Sequence, residues 1–256
     1  IEKQLGITIS IGLSENKFLA KLASSFEKPR GFTVIGKSEK FEFIKNLHVK
    51  NIPGIGPSLK KKFEKNSIMT IDDLRKLDKN VLAKSFGNFG KTIWNMSRGI
   101  DERNINPASS RKSISKETTF EHDISDFNKL KKILWLLTEE VSEMLKKNNF
   151  YSKSITLKLK RNNFKIITCS FTFLEPTCLA ENIYQTAVLL LKNKIEMAPF
   201  RLIGLSTSNF LAKKQESFKN LKLDSKSQKI EKTEYVIDKI RLKFGKEIIK
   251  KGRSLN

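Results

Sequence analysis

Pro53-Gly54-Ile55-Gly56, followed at once by a helix bearing Lys60, Lys61 and Lys62, is the stretch best suited to chemistry. Two glycines in a tight hairpin let backbone N–H groups approach a phosphate with no Cβ in the way. Ile55 between them can plug the hairpin into a helix pair. The following helix starts there, so its positive end also faces the anion. An ordinary helical hairpin would use the same glycines; the basic helix behind them is what favours phosphate. Such a contact grips a backbone and carries no sequence information. A second, weaker copy is "FGNFG", residues 86–90, with Lys91, for which turn packing and phosphate contact are equally good readings.

Two further stretches offer cations beside hydroxyls. In "SSRKSISKETTF", Arg111, Lys112, Ser113 and Lys116 would suit a phosphate track, and a solvated edge strand explains them as well. In "SITLKLKR", Thr156, Lys158 and Lys160 alternate with Ile155, Leu157 and Leu159, which puts the lysines together on one sheet face.

The acidic pairs are Asp72-Asp73, Asp101-Glu102 and Glu139-Glu140. Two-metal phosphoryl or nucleotidyl transfer needs carboxylates that converge on ions roughly 4 Å apart. The first pair reads as helix-start acids, the third as part of a solvated helix, and the second lies in a loop with no further acid placed to share an ion. Metal-ligand sites and catalytic residues are therefore expected to be none in this chain. Cys169 and Cys178 have no metal spacing and read as free thiols of a reducing compartment; His48 and His122 read as surface or packing residues. No phosphate-cradling GxxxxGK[ST] and no dinucleotide GxGxxG is present.

The elements that must position these residues follow from periodicity. Ile7, Ile9 and Ile11 alternate with small polar residues as in a half-buried strand. Ser14 is the expected N-cap of a helix carrying Phe18, Leu19, Leu22 and Ala23 on one face, and "FTVI" is a second strand after the Pro29 turn. Residues 1–36 thus read as a strand–helix–strand remainder, cut inside a domain. Residues 37–104 read as a small all-helical unit: a helix over 39–47, two helices around the Gly54–Gly56 hairpin, and one capped by Thr70 with Asp73 three residues on. Residues 105–112 are a polar linker. From Ser113 the pattern is strand (113–120), helix from Asp126, strand (154–161), Asn162-Asn163 turn, strand (164–173), helix (181–194), strand (200–208), a β-α-β-β-α-β unit ending near 213. In such a layer both helices cover one sheet face and leave the other bare. Residues 214–256 read as a basic, mobile tail with one short helix over 233–245. The fold class is α+β and multidomain.

With 50 Lys+Arg against 27 Asp+Glu in 256 residues, the net charge is +23. That excess calls for a polyanionic partner, nucleic acid first and an anionic membrane second. No apolar run reaches spanning length and no charged-then-apolar leader opens the chain, so a cytoplasmic protein without membrane contact is expected.

Taken in order, "SIGLSENKFLAKLASSFEKPRGF", "NIPGIGPSLKKKFEKNSIMTIDDL", "GIDERNI", "RKSISKETTF", "SITLKLKR" and "RLIGLSTSNF" resemble the Y-family translesion DNA polymerases from about Ile7 to Phe210. The resemblance implies a partial α/β palm (1–36), a helix-hairpin-helix thumb (37–104) and a little finger (113–213). It further implies a magnesium-dependent, template-directed, low-fidelity nucleotidyltransferase, monomeric, that binds primer-template duplex and the sliding clamp. By the same likeness Lys28, in the Lys-Pro-x-Gly turn, reaches the triphosphate of the incoming nucleotide, while Lys17 and Lys21 stay structural or solvated. The family's metal-binding aspartates, its Ser-x-Asp-Glu strand and its fingers precede the matching stretch and are not in this sequence. The clamp-binding peptide would fall in "QESFKNLKL", residues 215–223, a poor version of it. Two other readings stand beside this one: a non-catalytic DNA-binding module, and an RNA- or ribosome-associated protein. The second is disfavoured by the absence of aromatics at the bare sheet positions.

Overall fold

The computed structural model describes residues 1–107, 110–212 and 225–254. The chain divides into two compact units, residues 1–109 and 110–256.

In the first unit, α1 (Glu2–Leu5) precedes β1 (Ile11–Ser14), α2 (Lys17–Phe26) and β2 (Phe32–Ile35). β1 and β2 pair in parallel, Ile11 opposite Phe32 and Ser14 opposite Ile35. Gly12 is required here, because a Cβ on it would lie 2.2 Å from the Ser24 backbone nitrogen in α2. The expected cap of α2 is corrected. Ser14 ends β1 and donates its hydroxyl proton to the Ile35 carbonyl, whereas Asn16 Oδ1 accepts from the Leu19 N–H. Asn16 also donates its amide to the Gly99 carbonyl, and Asp101 accepts from the Phe18 N–H, so α2 starts against a segment more than eighty residues away.

After it come α3 (Lys40–Lys45), a single 3-10 turn (Val49–Asn51), α4 (Pro57–Lys65), α5 (Ile71–Arg75) and α6 (Lys79–Met96). The first arm of the expected helix pair is thus only one tight turn. Thr70 and Asp73 form the full capping box of α5, Thr70 accepting from the Asp73 N–H and Asp73 from the Thr70 N–H. α6 is two helical pieces kinked at Gly87, φ 61°. One core runs through these elements, from Phe18, Leu19 and Leu22 to Ile44, Ile52, Phe63, Ile71 and Ile93.

The second unit contains β3 (Ser113–Ile124), α7 (Phe127–Lys147), β4 (Phe150–Arg161), β5 (Ile166–Thr177), α8 (Ala180–Lys192), β6 (Phe200–Ala212) and α9 (Ser225–Phe244). The sheet order is β3-β6-β4-β5 with every neighbouring pair antiparallel, so both helical crossovers skip one strand. Leu130, Leu134 and Val141 of α7 and Ile183 and Ala187 of α8 pack on Ile155, Leu157, Ile203 and Leu205, all on one sheet face. The element order and turn at Asn162-Asn163 are as expected, and Asp126 caps α7. β3, β5 and β6 end about four residues later than their patterns suggested and β4 begins about four earlier; in β3 the polar stretch Glu121–Asp123 hides the alternation. α9 likewise begins at Ser225, well before the expected Thr233, and stops at Gly245 with φ 94°. Cys169 and Cys178 are free thiols, and no helix among the described residues is long and apolar enough to cross a membrane.

Candidate nucleic-acid interface

At the first hairpin, Gly54 and Gly56 are exposed while Ile55 between them is buried. Gly54 has φ 96°, and a Cβ there would come 2.9 Å from the Phe89 ring, so this glycine is needed for turn geometry and packing. Gly56 differs: its backbone is extended, and a Cβ would meet nothing within 4 Å. Gly56 is also the N-cap of α4 and offers no side-chain acceptor, while Pro57 at the first helical position has no N–H. The remaining first-turn donors of α4 therefore open beside exposed glycines, an arrangement suited to an anion.

The lysines behind the hairpin are not equivalent. Lys62 donates to the Ser85 carbonyl and sits 4.4 Å from the Phe86 ring, which makes it part of the packing. Lys60 forms a surface pair with Glu64 at 3.4 Å. Lys61 is exposed and unpaired among the described residues. In the second glycine turn, Gly90 is buried with a virtual Cβ 2.0 Å from the Leu82 carbonyl, so packing accounts for that glycine, and Phe89 covers Gly54.

On the open face of the four-stranded sheet, register aligns hydroxyls into rows. Ser113, Ser208, Ser154 and Thr172 form one row; Ser115, Ser206, Thr156 and Ser170 form the next. Thr156 and Ser170 are hydrogen-bonded at 2.8 Å. In the following row Lys158 reaches across Gly204 to Glu117, 2.7 Å away. Lys158 therefore sits in an ion pair and not as a bare cation. Lys160 is one row further, its ammonium 4.5 Å from the Phe164 ring. Lys116 is corrected from the polar track to the helix face, where it pairs with Glu140 of α7 at 2.6 Å. Arg111 and Lys112 precede β3, exposed and without a hydrogen-bond or ion-pair partner among the described residues. The serine rows were partly legible as alternation in "LSTS"; their alignment depends on strand register, which no single strand reveals.

In the first unit, Lys28 is exposed in the turn before Pro29. Lys17 donates to the Asn104 carbonyl, a structural use. Lys21 lines a cleft of about 430 Å³ with Ser25, Lys50, Pro53 and Gly54.

Of the three acidic pairs, every carboxylate except Glu102 is occupied by local work. Asp73 caps α5, and the donors at Thr70 and Met69 hold it below the usual carboxylate range. Asp72 pairs with Arg75 and Lys76. Asp101 is held low by the Arg103 guanidinium, 2.7 Å away, while it caps α2. Glu139 pairs with Arg241. Among the described residues no group of three or more His, Cys, Asp or Glu could hold a metal ion. The residues present do not fit a two-metal centre.

Residues 111–223 match the impB/mucB/samB family C-terminal domain, and residues 50–101 match the thumb domain of DNA polymerase-iota. The chain is 38% identical over 252 residues to DNA polymerase IV 1 of Mesorhizobium japonicum, covering 98% of this chain and 57% of that protein. It is also 38% identical over 252 residues to DNA polymerase IV of Brucella melitensis, covering 98% of this chain and 56% of the relative. The chain belongs to the Y-family DNA polymerases. A Y-family polymerase chimera of Dbh and Dpo4 shares the fold with a TM-score of 0.68 at 24% identity, over 83% of this chain and 61% of the other. The Y-family chain described here thus spans little more than half the length of these two DNA polymerase IV relatives.

Proposed function

We propose that this chain is the duplex-gripping C-terminal part of a template-directed, low-fidelity translesion DNA polymerase. The observation that carries the reading is the hairpin: exposed Gly54 and Gly56 flank buried Ile55 at an α4 N-terminus with no side-chain cap. It suits a phosphate oxygen and reads no base. In this reading residues 1–36 complete a palm, 37–104 form the thumb and 113–213 the little finger. Arg111, Lys112 and the hydroxyl rows around Ser113 give a second backbone contact, with Lys160 contributing charge on the same sheet and Lys158 held there by its pair with Glu117, while Lys60 contributes charge behind the hairpin. Lys28 serves the triphosphate of the incoming nucleotide. The 38% identity to two proteins named DNA polymerase IV supports nucleotidyl transfer as the activity of the whole protein.

Magnesium belongs to that activity by family, but the carboxylates described above are committed elsewhere, and no step is routed through an ion here. The same observation supports a second reading for this chain by itself, a non-catalytic DNA-binding module. Sliding-clamp binding would rest on residues 215–223, which lie outside the described residues.

A salt titration on two unrelated primer-template duplexes tests the grip. Affinity is expected to be the same for both sequences and to fall with salt at a log–log slope of about −0.9 per phosphate neutralised. Strong preference for one sequence, or a flat salt response, overturns it.

A further inference from the structure

Trp135 of α7 lies outside the core that packs on the sheet, yet it is fully buried. Its cover is the end of the chain. Lys251 and Arg253 stand 4.8 and 4.6 Å from its ring, and Tyr184 of α8 meets it edge-on at 5.1 Å. Around this aromatic floor are carboxylates that face the same segment. Glu181 takes Arg253 at 3.1 Å and Lys251 at 3.5 Å, Glu143 takes Lys246, and Glu139 takes Arg241 at 2.9 Å. In a chain of net charge +23 this is a local reversal of sign.

The segment is held by polar contacts throughout. The buried residue of α9 among those described is Glu234, whose carboxylate accepts from the Ala180 and Glu181 N–H groups and pairs with Lys146 at 2.8 Å. α8 has no side-chain cap of its own at Leu179, so α9 supplies it. Leu242, Phe244 and Ile248 stay exposed, so apolar burial adds little to the docking. The Trp135 indole N–H is buried without an acceptor among the described residues, a donor that this cover leaves unmet.

We propose that this acidic, aromatic-floored groove on α7 and α8 is a binding site for a Lys/Arg-bearing peptide segment of a partner protein, with residues 246–253 occupying it in cis. An arginine or lysine over a tryptophan face with a carboxylate beside it is a specific cation pocket. Tethering gives the chain's own segment an effective concentration on the order of millimolar, so a partner peptide binds measurably only when the cis segment is weakened or outnumbered.

The test uses the full chain and a fluorescently labelled peptide with the sequence of residues 246–256. Lys251→Ala with Arg253→Ala is expected to bind the peptide at least about tenfold more tightly than the unaltered chain, because the groove is vacated. Glu181→Gln added to that pair is expected to abolish the gain. Since the whole chain repels a cationic peptide, binding has to be local. Arg253→Ala alone, at a half-exposed side chain, is expected to give a smaller gain of the same sign and guards against misfolding of the double variant. Equal affinity of the unaltered chain and these variants, or a gain that survives Glu181→Gln, overturns the proposal.

Discussion

Single residues separate the grip from the fold at the hairpin. Gly54 has a positive φ and the Phe89 ring against it, so Gly54→Val is expected to destabilise the first unit by about 1–3 kcal/mol, whatever DNA does. Gly56 is the cleaner probe, because its extended backbone and open surroundings admit a side chain. Gly56→Val is expected to cost at most about 1 kcal/mol of stability through the poorer N-cap. It is also expected to weaken duplex binding about tenfold with an unchanged salt slope, since it removes no charge. Thermal unfolding and a salt titration check the two halves; undiminished affinity would remove the hairpin from the interface. Asp101 makes the acid side of stability testable. Its folded pKa is depressed, chiefly by Arg103, so its contribution is fully present above the unfolded carboxylate value of about 3.9. That contribution is lost as pH falls through the lower folded value. Asp101→Asn is expected to cost on the order of 1 kcal/mol at neutral pH and to flatten acid unfolding in that window, read by urea midpoints between pH 2 and 6.

At the level of elements, the strand edge at β3 is the place where charge and geometry can be told apart. Arg111 and Lys112 are exposed and unpaired among the described residues, whereas Lys116 and Lys158 are paired to Glu140 and Glu117. Arg111→Ala with Lys112→Ala is therefore expected to reduce the salt slope by up to about two units and to weaken all duplexes alike. The matching double change at Lys116 and Lys158 should alter the slope less, because each already faces a carboxylate. A slope unmoved by Arg111 and Lys112 would leave them as a solvated edge. Most of the elements that place these residues were legible because their signals are local. Asp126 before an apolar helical stripe, Thr70 with Asp73, and Asn162-Asn163 between alternating runs each act within a few residues. Part of what escaped was set by distance. The start of α2 was read at Ser14, although the cap Asn16 makes with Leu19 is local; what was out of sight is that Gly99 and Asp101 meet that start from the far end of the unit. Of α9 only the start escaped, because Ser225–Lys232 reads SKSQKIEK, with one apolar residue to mark a helical period. Lys158 looked like a free cation because Glu117 comes beside it only through the β3-β6-β4 register.

Across the whole molecule, binding and chemistry separate. The chain covers 57% of one DNA polymerase IV relative and 56% of another, and Asp72, Asp73, Asp101, Glu139 and Glu140 of its acidic pairs cap helices or pair with cations. The chain alone is thus expected to bind primer-template and not to extend it with magnesium and nucleotides; extension abolished by changing one of its own acids would sink that expectation. Lys28 tests the complementary half. It lies in the turn between α2 and β2, in a different unit from the β3 strand edge, so a triphosphate contact there should be independent of that part of the duplex grip. In a fusion that restores the N-terminal portion of a relative such as the Mesorhizobium japonicum protein, Lys28→Ala is expected to reduce kcat/KM for the nucleotide. The expected loss is about 5- to 150-fold, corresponding to about 1–3 kcal/mol for a charge-assisted hydrogen bond. Duplex affinity should stay within about twofold, because a single exposed lysine spent on the triphosphate releases few counterions from the duplex. Lys28→Arg, which keeps the charge but not the compact ammonium, should recover part of the rate. Nucleotide kinetics unchanged by Lys28→Ala would return this lysine to the solvated side of α2, and a parallel fall in duplex affinity would move it into the DNA track.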